Sequence, residues 1–215
     1  MLSSGQYAGF AAALAARGVA LRTSPAQYQR ARELPGWYPA LAPVTPRTVW
    51  TAGDSQQDVA RACARLGPGP AVLRDYVKSM KHYWTQATCI PQTSDQAAAW
   101  KIAARFRQLR GDDFTGGFVI RRFEPFCSAE VRTWWTGGTC RLITPHPYIP
   151  GGQPPPDLDL TPFTPLIGSL GLEFVTADLA WRADRTWRLI ELGDGQVSDR
   201  PSTTSPAALL AAALA

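Results

Sequence analysis

Lysine is scarce in this chain of 215 residues. Of its 22 basic side chains only Lys78, Lys81 and Lys101 are lysines, and two of these stand within four positions of each other. Histidine is rarer still: His82 and His146 are far apart, so each reads as a structural or surface residue. The four cysteines, Cys63, Cys89, Cys127 and Cys140, lack CxxC spacing, which argues against a zinc site and fits reduced cytoplasmic thiols. No apolar run is long enough to cross a bilayer, so no membrane partner is expected. The early FAAALAA segment has no positive region before it, which argues against a secretory signal. A GxxxxGK phosphate loop is missing as well.

What is present describes a folded domain. Hydrophobic content is 45% and charged content 18%, outside the range of disordered chains. A net charge of +5 favours anionic ligands such as nucleotides but is too small to argue for a nucleic-acid partner. Helices are expected over 5–17, Pro25–Glu33, Asp54–Leu66, Gln96–Arg110 and the Ala/Leu-rich C-terminus, with a short one at 166–172. Strands are expected at VALR (19–22), Ala71–Val77, Phe118–Phe123, Ala129–Thr136 and Thr139–Ile143, the last two turning at Gly137-Gly138. Leu34–Trp50, with four prolines, reads as a connecting loop, and Thr144–Pro165, with eight, as an irregular surface loop. Helices dominate the first half and strands the second, which is an α+β pattern. The division expected is an N-terminal α/β segment (1–50) and a domain (51–215) with lobes near 51–121 and 122–215.

The stretch Phe174–Gln196, FVTADLAWRADRTWRLIELGDGQ, organises the rest. Folded about a two-residue loop at Asp184-Arg185, its two strands set Leu179 opposite Ile190 and Asp178 opposite Glu191. Residues facing each other in a hairpin lie about 4.5–5.5 Å apart. Two carboxylates so close repel unless a proton or cation lies between them. Oxygen ligands of this kind suit Mg2+, which fills its remaining positions with water and phosphate oxygens. The other face carries Val175, Ala177, Leu179, Trp181, Ile190 and Leu192, so the pair is expected on the open face of a half-buried sheet. A solvated strand face is the alternative, and Asp194, on the following turn, offers a third carboxylate.

Two other segments carry chemistry. AVLRDYVKSMKHYW delivers Arg74, Lys78, Ser79 and Lys81 to one region, either as a polyphosphate site or as a basic strand end in solvent. In FVIRRFEPFCSAEVRTWW, Pro125 interrupts a strand end at Arg122-Phe123-Glu124-Pro125-Phe126. Free backbone groups and aromatic rings there suit an adenine edge, with Glu124 on ribose hydroxyls. Glu130 and Arg132 share a face of the next strand, as an ion pair or reaching toward phosphate.

The order of these pieces (lysine-bearing strand, helix, FEPF hinge, ExR, D…E hairpin) resembles the ATP-grasp fold over about Ala71–Pro201. It is most similar to the clade named for an arginine-to-lysine swap in the nucleotide site, whose RDxxKSxK and ELGDGQ segments match Arg74–Lys81 and Glu191–Gln196 here. The resemblance implies two α+β lobes with antiparallel sheets holding ATP, with adenine at Arg122–Phe126. It implies Lys78 and Lys81 on phosphates, Arg132 on the transferred phosphoryl group, and Asp178 and Glu191 on Mg2+. Asp194 stands where the family often has an asparagine. Two departures stand out: QATCIP replaces a glycine-rich loop over the phosphates, and the N-terminal lobe is short. The implied activity is an ATP- and Mg2+-dependent carboxylate–amine ligase acting through an acyl-phosphate on small-molecule or peptide substrates, in the cytoplasm. A nucleotide-binding module without ligase activity, or a nucleic-acid-modifying enzyme, is the alternative. A homodimer is left open.

Overall fold

A computed structural model of the chain describes residues 2–127, 130–156 and 158–215. Its helices are α1 Ser4–Ala15, α2 Pro25–Arg32, α3 Leu34–Leu41, α4 Gln56–Leu66, α5 Gln96–Arg110, α6 Thr164–Gly168 and α7 Pro206–Leu214. The strands are β1 Thr48–Trp50, β2 Ala71–Asp75, β3 Cys89–Ile90, β4 Phe118–Arg122, β5 Val131–Thr136, β6 Thr139–Pro145, β7 Phe174–Trp181 and β8 Trp187–Asp194. They form two four-stranded antiparallel sheets, ordered β1-β4-β2-β3 and β6-β5-β7-β8, which is an α+β architecture.

The chain divides into two units. One spans Pro46–Glu124; the other joins Met1–Thr45 to Pro125–Ala215. The N-terminal helices thus belong to the same unit as the C-terminal sheet.

In the Pro46–Glu124 unit, α4 and α5 bury their apolar faces in one cluster with the sheet, with Val59, Leu66, Leu73, Phe106, Phe118 and Ile120 at its centre. Helix α4 begins where Ser55 and Asp58 cap each other reciprocally, and ends at Gly67, whose φ of 85° stops it.

In the other unit, Ser3 and Ser24 build the same reciprocal cap with Gln6 and Gln27, starting α1 and α2. Tyr7 and Tyr28 stack between these helices at 4.0 Å. No strand forms at VALR among the described residues: 19–21 have no regular structure and 22 lies in a bend. The expected loop at Leu34–Trp50 instead contains α3 and β1. Pro35 stands in the first turn of α3, where a missing N–H costs nothing, and Pro39 removes one interior bond. Complete burial of Leu34, Trp37 and Leu41 on one helical face outweighs that loss.

The β5–β6 hairpin turns at Gly137-Gly138 with φ of 55° and 79°, the conformation that a pair of glycines allows most readily. The expected start of β5 at Ala129 lies outside the described residues. The β7–β8 turn is one residue longer than expected. The Arg182 N–H donates to the Thr186 carbonyl, leaving Ala183, Asp184 and Arg185 as the loop, with Arg185 at a φ of 66°. A β-bulge then lets β8 take up one extra residue at Ile190, so Leu179 faces Leu189, yet Asp178 still faces Glu191.

Candidate active site

Strand β7 runs inside its sheet between β5 and β8, and every residue from Phe174 to Ala180 is buried. The open face expected around Asp178 is therefore a covered one. The segment after β8 lies over it: Ser198 Oγ and Thr176 Oγ1 are 2.8 Å apart, and Arg132 Nη1 donates to the Asp199 carbonyl at 2.8 Å.

On that face a row of side chains crosses the sheet. The registers place Arg132 opposite Asp178, and Asp178 opposite Glu191. Arg132 grips the carboxylate with both arms of its fork, Nε to Oδ1 and Nη2 to Oδ2, each at 2.8 Å. Burial alone would raise the Asp178 carboxyl, but its hydrogen bonds from Arg132 and His146 hold it below the usual range. Burial also works against the Arg132 charge, and the carboxylates of Asp178, Glu191 and Asp199 more than offset this.

Of the two residues read as structural or surface, His146 takes the structural place. It is buried at the end of β6, with Nε2 3.6 Å from both Asp178 Oδ2 and Glu130 Oε2. The Tyr148 N–H donates to its Nδ1 at 3.3 Å. His82, by contrast, is exposed.

Asp194 does not join the row. Side chains alternate along β8, so a residue three positions from Glu191 points to the opposite face, where α2 packs. There it is buried, accepts from Gln196 N at 2.9 Å and Nε2 at 3.2 Å, and has its carboxyl raised by burial.

In the other unit, the lysine-bearing turn is organised by a residue that the sequence reading passed over. Asp75 is fully buried, and its Oδ1 accepts from the Val77 N–H at 2.7 Å and the Lys78 N–H at 2.6 Å. Oδ2 accepts from Arg110 Nε at 2.8 Å and the Thr115 N–H at 3.4 Å. The turn leaves Lys78 and Lys81 exposed, with Ser79 half-buried and bridged to Arg74. Arg74 itself is buried, its Nη2 donating to the Val77 carbonyl at 2.6 Å, so it braces the turn. Arg122 likewise braces the end of α4, donating to the Leu66 and Gly67 carbonyls at 3.0 Å. Phe123 is exposed and meets Trp84 edge-on at 6.1 Å, while Glu124 and Phe126 are half-buried. The boundary between the units falls just after Glu124, so Phe126 and Glu130 belong with the Asp178 sheet and the lysines do not.

Residues 65–214 match family 3 of the arginine-to-lysine clade of ATP-grasp domains. The chain belongs to the ATP-grasp family. Among solved structures, a RimK-domain ATP-grasp protein from Sphaerobacter thermophilus superposes with a TM-score of 0.61 at 19% identity, covering 97% of this chain and 74% of that one. D-cycloserine synthetase DcsG gives a TM-score of 0.62 at 17% identity, over 98% of this chain and 79% of its own. The ATP-grasp ligase PsnB, complexed with its minimal precursor, Mg and ADP, gives 0.53 at 13% identity, over 97% and 67%. Comparison with curated proteins finds no match. At these identities the structural likenesses establish the shared ATP-grasp fold.

The ATP-grasp row can be tested against the cation it would hold. Each carboxylate oxygen has two lone pairs, and Arg132 takes one on each Asp178 oxygen, so acceptor capacity remains. Glu191, directly across the strand pair, supplies a second carboxylate. Two carboxylates completed by water and phosphate oxygens are a donor set that Mg2+ accepts. Glu130, His146 and Asp178 also offer ligand atoms within 4.8 Å of one another. Arg132 Nη2 stands 3.4 Å from His146 Nε2 and both arms of the guanidinium hold Asp178, so its positive charge would lie beside a dication in either arrangement.

Proposed function

We propose that this ATP-grasp chain is an ATP- and Mg2+-dependent ligase that joins a carboxylate to an amine through an acyl-phosphate. The observation that carries the reading is the row Arg132–Asp178–Glu191, built across three adjacent strands of an ATP-grasp sheet. Such a row answers the needs of phosphoryl transfer, which depends on positioning and charge neutralisation more than on a protein nucleophile. The names of two similar structures, a cycloserine synthetase and a ligase bound to Mg and ADP, point the same way.

In this reading the substrate carboxylate attacks the γ-phosphorus and ADP leaves. The amine nitrogen then attacks the acyl carbon, the C–O bond to phosphate breaks, and inorganic phosphate departs as the nitrogen loses a proton. Lys78 and Lys81 contact the polyphosphate, and Asp75 and Arg74 hold the turn that presents them. Phe123, Glu124 and Phe126 take the nucleoside. Asp178 and Glu191 hold Mg2+, which when bound neutralises phosphate charge. Arg132 keeps Asp178 ionised and aimed, and directs its own charge toward the transferred group. The substrates are small molecules or peptides, and the setting is cytoplasmic.

The test is thermal stabilisation by ATP with Mg2+, on wild type and on Glu191→Ala. A ligand at about 100 times its Kd adds about 2.7 kcal/mol, a readily measured shift in the midpoint. The expected result is a Mg2+-dependent shift in wild type that largely vanishes in the variant. No shift in either protein refutes the nucleotide site. A shift without ADP release over a broad panel of acids and amines refutes the ligase and leaves a binding module.

A further inference from the structure

A pocket of about 230 Å³ lies beside the row, within the Asp178 unit. Its walls include Pro145, Ile149, Pro154, Pro155 and Trp187, and Glu130 is the charged residue among its lining. Glu130 is three-quarters buried, with Oε2 3.6 Å from His146 Nε2, and that same nitrogen is 3.6 Å from Asp178 Oδ2. One carboxylate thus stands between an apolar chamber and the row proposed to act on the acyl-phosphate.

We infer that this pocket binds the amine substrate, as an ammonium group on Glu130 with an apolar side group against Ile149, Pro155 and Trp187. The inference rests on the ligase reading for its role in turnover, but not for binding itself. Charge sorts the substrates. A carboxylate ligand would face Glu130 with like charge, whereas an ammonium offsets it and donates hydrogen bonds. Shape sorts them further: three proline rings, an isoleucine and an indole outweigh the Gln153 amide in the lining, so a branched or aromatic side group is favoured over a polar one. The segment carrying most of these walls is the proline-rich stretch after β6. Proline restricts that backbone, so less freedom is lost when a ligand orders it.

The experiment needs no nucleotide. Binding of isoamylamine, isoamyl alcohol and isovalerate to the full chain is measured at neutral pH by ligand-observed NMR, on wild type and on Glu130→Gln. The amine is expected to bind wild type at least tenfold more tightly than the alcohol or the acid, and to lose that advantage in the variant. Equal binding of amine and alcohol, binding of isovalerate, or an unchanged amine affinity in Glu130→Gln overturns the proposal. Should the variant not fold, the three-ligand series on wild type decides alone. A parallel titration with MgADP separates the two readings. A nucleotide response without amine selectivity sinks only the pocket, and amine selectivity without a nucleotide response sinks only the ligase.

Discussion

Replacing Asp75 with alanine is expected to destabilise the protein more than any exposed substitution near the lysines. The carboxylate has no solvent exposure and receives four donors: the N–H groups of Val77, Lys78 and Thr115, and Arg110 Nε. Arg110 is itself mostly buried, 15% exposed at the side chain, so its charge would lose its partner inside the protein. Breaking one side of a buried pair costs about 3–5 kcal/mol. Each N–H left unpaired adds roughly 1–3 kcal/mol unless water reaches it. These losses share one site and do not add in full, so about 4 kcal/mol is expected, a large share of the roughly 5–15 kcal/mol that holds a domain together. Urea unfolding followed by tryptophan fluorescence measures it, and with a slope of about 2 kcal/mol per molar the midpoint falls by about 2 M. Asp75→Asn keeps Oδ1 for Val77 and Lys78 but turns an amide toward Arg110. It should therefore lose the ion pair and keep the turn. A loss below about 1 kcal/mol for Asp75→Ala, ordinary for a surface change, would refute the keystone role.

Asp194→Asn is expected to stabilise the protein at neutral pH. Burial raises the carboxyl's folded-state pKa, so wild type loses stability as pH rises from the unfolded value through the folded one, and the amide escapes that loss. The gain should shrink toward about pH 4, near the ordinary carboxylate value, and an equal gain in thermal midpoint at both pH values would contradict it. The same variant should keep its Mg2+-dependent ATP response, because Asp194 faces away from Glu191. Arg132→Lys should destabilise by about 2 kcal/mol in urea, since a point charge cannot replace the two-armed grip on a buried carboxylate; full stability in the lysine variant would show the fork to be dispensable. At Arg185, with its φ of 66°, glycine should be at least about 1 kcal/mol more stable than valine, and equal midpoints would argue against a left-handed turn residue.

The parts of the fold set by local rules were legible in the chain. Helix α5 was expected at Gln96–Arg110 and has those bounds; the structure adds Asp95 as its cap and Gly111 as its stop. The Gly137-Gly138 turn placed the β5–β6 hairpin. Helix α3 was hidden because four prolines in seventeen residues outweigh any propensity argument, and what overrides them is the burial of Leu34, Trp37 and Leu41, a property of the assembled unit. The burial of Asp178 was hidden for a similar reason. Alternation along β7 shows which residues share a face, but not that the segment after β8 folds over the polar one.

Two bulges decide which side chains meet, and neither leaves a mark in the sequence. Counted from Gly137-Gly138, an unbroken β6 puts Pro145 opposite Glu130 and turns His146 to the other face. The irregularity between Trp134 and Trp135, where Arg141 is skipped, advances the register by one and brings His146 to Glu130. In β8 the three-residue turn would by itself set Asp178 opposite Ile190 and send Glu191 to the wrong face. The extra residue at Ile190 reverses that shift, so an expectation built on the wrong turn reached the right pair. A slip of one residue in the β7–β8 hairpin would leave the same composition and helices while dispersing the row, and a slip in β5–β6 would turn His146 away from it. The site therefore resides in register, and register here is fixed by two single-residue insertions flanking Arg132 and Asp178 on neighbouring strands.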